Sequence, residues 1–314
     1  MKKFNRILPI LLIVAIFSIF STNVAYASND ASNDEIAVLG DFDSTEFSYI
    51  VVYPENFNAR MKLPVVVWSN GTYVPPQSYE DIFSLLAQEG YIVVASTDSL
   101  LYDGSVVSGA IDFIIEQNDN PDSPLYRSVD TSRIGAAGHS LGGRSSINAA
   151  VKDERISVVA SIAGSNIESE RVELQTPALF FAGENDTVIA PQLWVEPMYD
   201  VCRGPAVYVL LKNAGHGACF TDPELYAYYI SNWFYTWLYE DQELKEIFVP
   251  NGNMSNDVRF MEYKSKGFES EYVLPQKDST ASLNKSIIIA SIILSVGIFA
   301  STLIVVLYKL KTRE

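Results

Sequence analysis

The sequence predicts an α/β fold built on a mostly parallel central sheet with helices on both faces. Three observations predict it. From about residue 39 to 248, short apolar runs alternate with helix-like stretches, the pattern of repeated strand–helix units. The central runs are continuously apolar, as strands covered on both faces are. And "AGHSLGG", residues 137–143, sets a serine in a glycine-rich turn between one such run and one such helix.

The strand-like runs are "FSYIVVYP" (47–54), "LPVVVWS" (63–69), "YIVVAS" (91–96), "RIGAAG" (133–138), "ISVVASIAG" (156–164), "PALFFAG" (177–183) and "AVYVLLK" (206–212). Helices are expected over 78–90, 105–118, 141–152 and 222–240. The first, "SYEDIFSLLAQEG", has a polar start, an apolar stripe and a closing glycine. The roughly 210 residues of this stretch suffice for one sizeable core. Residues 28–38 are small and polar and are expected as a flexible leader. Residues 249–285 are turn-rich and are expected as a stalk or small extension, although "VRFMEY" within them has strand character.

Both ends read as non-globular. "MKKFNR", then the apolar "ILPILLIVAIFSIF", then small residues at Ala25 and Ala27 form a secretory signal pattern, with cleavage after Ala27. An uncleaved anchor is the alternative. Residues 286–308, "SIIIASIILSVGIFASTLIVVLY", hold no charge and are long enough to cross a bilayer. The tail 309–314 carries Lys309, Lys311 and Arg313, which fits a cytoplasmic end. The ends therefore predict a single-pass cell-membrane protein, its main domain extracellular, with the membrane as a partner through a C-terminal transmembrane helix.

With 22 Lys+Arg against 38 Asp+Glu, the formal charge is −16. That excludes nucleic acid as an expected partner, because neutralising phosphates needs clustered positive charge. The two cysteines, Cys202 and Cys219, could form a disulfide in an exported protein. Two free thiols are the other reading. No HExxH and no Cys/His cluster is present, so no metal is expected. "GAAGHSLGG" lacks the G-x-G-x-x-G spacing of a dinucleotide loop, and no cofactor is expected.

The chemistry centres on Gly138-His139-Ser140-Leu141-Gly142, a G-x-S-x-G turn between strand and helix. Such a turn pushes the Ser140 hydroxyl beyond the sheet edge and aims a helix N-terminus at it. A serine needs a base to act as a nucleophile. Of two histidines, His139 is next door and is expected to pack or orient beneath the turn. His216, in "NAGHGACF", follows strand 206–212 and falls at the same sheet edge as Ser140. The acid that orients it is expected to be Asp186 in "FAGENDTVIAP", with Glu184 the competitor. The chain order Ser140, Asp186, His216 is that of one serine-hydrolase class. Oxyanion donors are expected from the backbone N–H groups of Leu141 and of Thr72 in "SNGTYVPP", with Gly71 competing for the second.

These segments resemble the α/β-hydrolase superfamily, and within it the dienelactone hydrolase, chlorophyllase and bacterial cutinase (polyester hydrolase) group. "SNGT", "AQEGYIVVASTDS", "GHSLGG", "FAGENDTV" and "NAGHGACF" carry the resemblance over roughly residues 45–240. It implies an α/β-hydrolase fold without a large lid and a serine esterase acting on small-molecule or surface-polymer esters through an acyl-enzyme. Cys202 and Cys219 resemble a bridge that some members use. The loop "SNIESERVELQ" departs from the group, being acidic and without tryptophan, so plastic or cutin does not carry over as substrate. A non-catalytic binding module and an acyltransferase are the alternative functions on such a scaffold.

Overall fold

Nine strands make one sheet among the described residues, which are 36–40, 49–58, 61–98, 102–164 and 173–268 of a computed structural model. In chain order they are β1 (Ile36–Leu39), β2 (Tyr49–Pro54), β3 (Leu63–Ser69), β4 (Ile92–Ser96), β5 (Val129–His139), β6 (Ile156–Ile162), β7 (Ala178–Gly183), β8 (Ala206–Leu211) and β9 (Phe260–Lys266). The spatial order is β1-β2-β4-β3-β5-β6-β7-β8-β9. β4, β3, β5, β6, β7 and β8 run parallel, whereas β1, β2 and β9 are antiparallel to their neighbours.

The parallel strands are apolar on both faces because both faces are covered. On one face, α1 (Glu80–Gln88) and α5 (Pro223–Leu238) bury Phe83, Leu86, Ile230, Trp233 and Phe234 against Val66, Val158 and Val207. On the other, α2 (Ser105–Asp119), α3 (Leu141–Lys152) and α4 (Glu196–Val201) bury Ile111, Ile147 and Met198 against Val65, Val159 and Tyr208. A short α6 (Gln242–Lys245) follows α5. The α/β fold with a mostly parallel sheet is thus observed. Two strands fall where none was assigned: β1 takes the end of the expected leader, and β9 lies inside the expected stalk or extension.

Two expectations are corrected. No helix among the described residues is long and apolar enough to cross a membrane. The longest, α5, has 16 residues, about 24 Å at helical rise, against a hydrocarbon core of about 30 Å. This corrects the expected transmembrane helix, the membrane as partner and the single-pass cell-membrane localisation. The run 286–308 lies outside the described residues, as do the expected signal peptide 1–27 and tail 309–314.

The disulfide is also corrected, for Cys202 and Cys219 are both free and buried. Cys202 belongs to the core that contains Tyr208 and Leu210, and Cys219 to the core that contains Val207 and Val209. Alternate residues of a strand face opposite ways, so the sheet itself separates the sulfurs. One cysteine precedes β8 and the other follows it.

Candidate active site

Ser140 sits where β5 ends and α3 begins. Its backbone angles are φ 58° and ψ −125°, a strained conformation for a residue with a Cβ, costing on the order of 1–3 kcal/mol. The surroundings enforce it. The Ser140 N–H donates to the Ile162 carbonyl at the end of β6 (2.9 Å). The turn also presses against β3: a Cβ on Gly142 would meet the Ser69 carbonyl oxygen at 2.0 Å, so only glycine fits there. The N-terminus of α3 points its unpaired N–H groups at this turn, which favours developing negative charge.

The turn after β7 carries Asp186 and the turn after β8 carries His216. The two are stitched together. Glu184 N–H donates to the Leu211 carbonyl (2.9 Å) and Asn185 N–H to that of Ala214 (2.8 Å). The Glu184 carboxylate accepts from the Asn213 N–H (2.7 Å), where the backbone turns at φ 55°. A Cβ on Gly183 would meet the Ala214 carbonyl oxygen at 2.5 Å, so the close approach of the two turns depends on that glycine.

Asp186 Oδ2 lies 2.8 Å from His216 Nδ1, and His216 Nε2 lies 2.9 Å from Ser140 Oγ. Asp186 Oδ1 accepts from the N–H groups of Val188 and Ile189, both at 2.8 Å. Three donors thus satisfy the Asp186 carboxylate, and its acceptance from His216 fixes the imidazole tautomer with the hydrogen on Nδ1. His216 Nε2 then presents a lone pair to the serine hydroxyl, the arrangement that makes serine a nucleophile.

Glu184 caps the base turn, and the partner of His216 Nδ1 is Asp186. The Gly71 N–H donates to the Tyr79 hydroxyl (2.9 Å). Thr72 follows in the same turn, its hydroxyl buried without a partner among the described residues, and Leu141 is the first residue of α3. His139 is buried beneath the turn, with Nε2 2.8 Å from the His216 carbonyl oxygen and Nδ1 3.1 Å from the Tyr79 hydroxyl. Among the described residues no group of three or more His, Cys, Asp or Glu side chains is placed to hold a metal ion.

A family model described as PETase, PET hydrolase-like, matches residues 43–266. The chain belongs to this family. The match spans β2 to the last residue of β9 and includes every residue of the site. This PET hydrolase-like chain is also similar to the bis(hydroxyethyl) terephthalate hydrolase of Streptomyces coelicolor, 23% identical over 72% of this chain and 71% of the relative. It is 22% identical to cutinase est2 of Thermobifida alba, over 68% and 72%. It is 24% identical to lipase 1 of a Moraxella species, over 58% and 57%. The PET hydrolase-like chain is a serine hydrolase of carboxylic esters, as its relatives and its Ser–His–Asp geometry agree.

Tyr79 is the site neighbour that sequence reasoning missed. It sits just before α1, and its links to Gly71 and His139 leave no local signature in the chain. Most of the acidic loop after β6, residues 165–172, lies outside the described residues.

Proposed function

We propose that this protein hydrolyses carboxylic esters with Ser140 as nucleophile, His216 as general base and acid, and Asp186 as the orienting carboxylate. The observation that carries this reading is the unbroken pair of hydrogen bonds from Ser140 through His216 to Asp186. Ser140 Oγ attacks the ester carbonyl carbon while His216 Nε2 takes its proton. The oxyanion that forms is received by the N–H groups of Leu141 and Thr72. Two neighbouring donors are already engaged, Ser140 N–H by Ile162 and Gly71 N–H by Tyr79, which supports the next residue of each turn in this role. Collapse expels the alcohol, protonated by His216, and leaves acyl-Ser140. Water, deprotonated by His216, then releases the acid and restores the serine.

The substrate is an ester with an apolar or aromatic face. Tyr73 (81% exposed) stands on the turn that carries Thr72, Val188 (63%) on the turn that carries Asp186, and Leu193 (64%) on the short helix that follows it. One relative's name specifies bis(hydroxyethyl) terephthalate, a small aromatic diester that suits such a rim and serves as the first substrate to test.

Purified protein should cleave it and be labelled by a fluorophosphonate probe at Ser140. Ser140→Ala should fold normally and lose at least about 10³-fold in turnover, together with the label. Retained turnover, or labelling of that variant at another serine, would show the assignment to be wrong.

A further inference from the structure

Tyr79 and His139 take no step in this reaction, yet they form a polar bridge through the core beneath it. They are 1% and 2% exposed. The bridge runs from Gly71 N–H to the Tyr79 hydroxyl (2.9 Å), from that hydroxyl to His139 Nδ1 (3.1 Å), and from His139 Nε2 to the His216 carbonyl (2.8 Å). Only one assignment of protons satisfies it. A carbonyl oxygen can only accept, so His139 Nε2 carries the hydrogen. Nδ1 is then a lone pair and accepts from the Tyr79 hydroxyl, whose own oxygen accepts from Gly71.

The two ends of the bridge are the backbones of the two segments that must be held in register. Gly71 immediately precedes Thr72 in the oxyanion turn, and the His216 carbonyl belongs to the base itself. The ring of Phe220 packs on both members, 5.2 Å from Tyr79 and 5.3 Å from His139, and Trp68 closes over Tyr79 at 5.1 Å. Burial depresses the His139 pKa to about 4, so the ring stays neutral and keeps the tautomer the bridge requires.

We propose that Tyr79 and His139 are positioning residues that fix the spacing between the oxyanion turn and the catalytic-base loop. The proposal rests on the roles assigned above to Thr72 and His216. Oxyanion donors work only when they lie about 3 Å from where the charge develops. A misplacement of about 1 Å can cost about 10²-fold in rate. Breaking the bridge should therefore lower kcat and leave KM nearly unchanged, because the rim that meets the substrate is untouched.

The test compares Tyr79→Phe, His139→Phe, His139→Gln and the double Tyr79→Phe/His139→Phe variant on p-nitrophenyl acetate. Tyr91→Phe is the control, for it deletes an equally buried hydroxyl, bonded to the Ser231 carbonyl away from the site. We expect Tyr79→Phe and His139→Phe each to lower kcat by about 10- to 100-fold with KM within about twofold. The double variant should lose no more than the worse single one, since a chain is broken only once. His139→Gln should recover part of the rate, because its amide can still donate to the His216 carbonyl. The control should lower Tm and leave kcat intact.

Wild-type kcat in both Tyr79→Phe and His139→Gln, losses confined to KM, or additive losses in the double variant would overturn the bridge. Tyr79→Phe is close to isosteric and decides the matter should His139→Phe fail to fold. Fluorophosphonate labelling separates the two levels. An unlabelled wild type defeats the catalytic assignment, whereas a labelled wild type beside a fully active Tyr79→Phe defeats the bridge alone.

Discussion

At His139, burial removes the hydration that an imidazolium needs, and the nearby His216 adds to the shift; the bond to the His216 carbonyl and the Asp186 charge oppose it without prevailing. The folded pKa of about 4 lies below the ordinary histidine value of about 6.5. Between these values the unfolded chain binds more protons than the folded one, so stability falls as pH drops from about 6.5 to about 4, by roughly 3 kcal/mol in all. Asp130, Asp153 and Asp257 are held below the usual carboxylate range by hydrogen bonds that outweigh their burial, so they yield their contribution only at lower pH. Denaturant titrations at pH 7 and pH 4.5 should show the loss in wild type and not in His139→Gln; equal losses in both would contradict a neutral buried ring. Ser140, Asp186 and His216 could be located in the sequence because each stands just past a strand in a recognisable turn. Tyr79 could not, because its partner His139 is sixty residues away and the contact exists only after the sheet has brought β3 beside β5.

Among elements, β1 left no strand signal in the sequence and β9 only the strand character of "VRFMEY", and for β9 the physics is plain. Only Phe260 of its seven residues is buried, so it lacks the continuous apolar signal that marked β3 to β8. β1 is weak for the same reason, being another edge with no buried residue. Yet β9 covers all of β8, from Ala206 paired with Lys266 to Leu211 paired with Phe260. Tyr263 ties it further by donating to the Phe248 carbonyl (2.5 Å), and Lys264 pairs with Glu196. Without β9, the strand that leads to His216 would present an open row of N–H and C=O groups, a template for association. Deleting residues 260–266 should therefore lower Tm by several degrees, promote aggregation seen by light scattering, and abolish ester turnover. A monomeric deletion variant with wild-type activity would mean that β8 needs no cover.

At the scale of the whole molecule, the sheet divides the described residues into two apolar cores that do not share side chains, and each holds one cysteine. Burial pushes the Cys202 thiol up to about 11 and the Cys219 thiol up to about 12, so neither is a thiolate at neutral pH. A reductant should leave Tm unchanged, and a thiol reagent should titrate two groups in denaturant and none in the native protein. A Tm that drops on reduction would bring back a bridge. The sequence suggested pairing because the chain read as exported and holds a single pair of cysteines. It could not reveal that they drop to opposite sides of the sheet, since that depends on how the chain enters and leaves β8.

Because His139 donates to the carbonyl of residue 216, the hydrogen bond of the tether does not itself require an imidazole there. A lineage that exchanged His216 for another residue would keep the loop, the sheet and the fold, and would persist as a well-formed protein without its reagent. A lineage that exchanged His139 would keep every reagent and lose their spacing. The two imidazoles stand 4.8 Å apart and bear different inheritances: one can be lost without harm to the architecture, the other without loss of any reacting group.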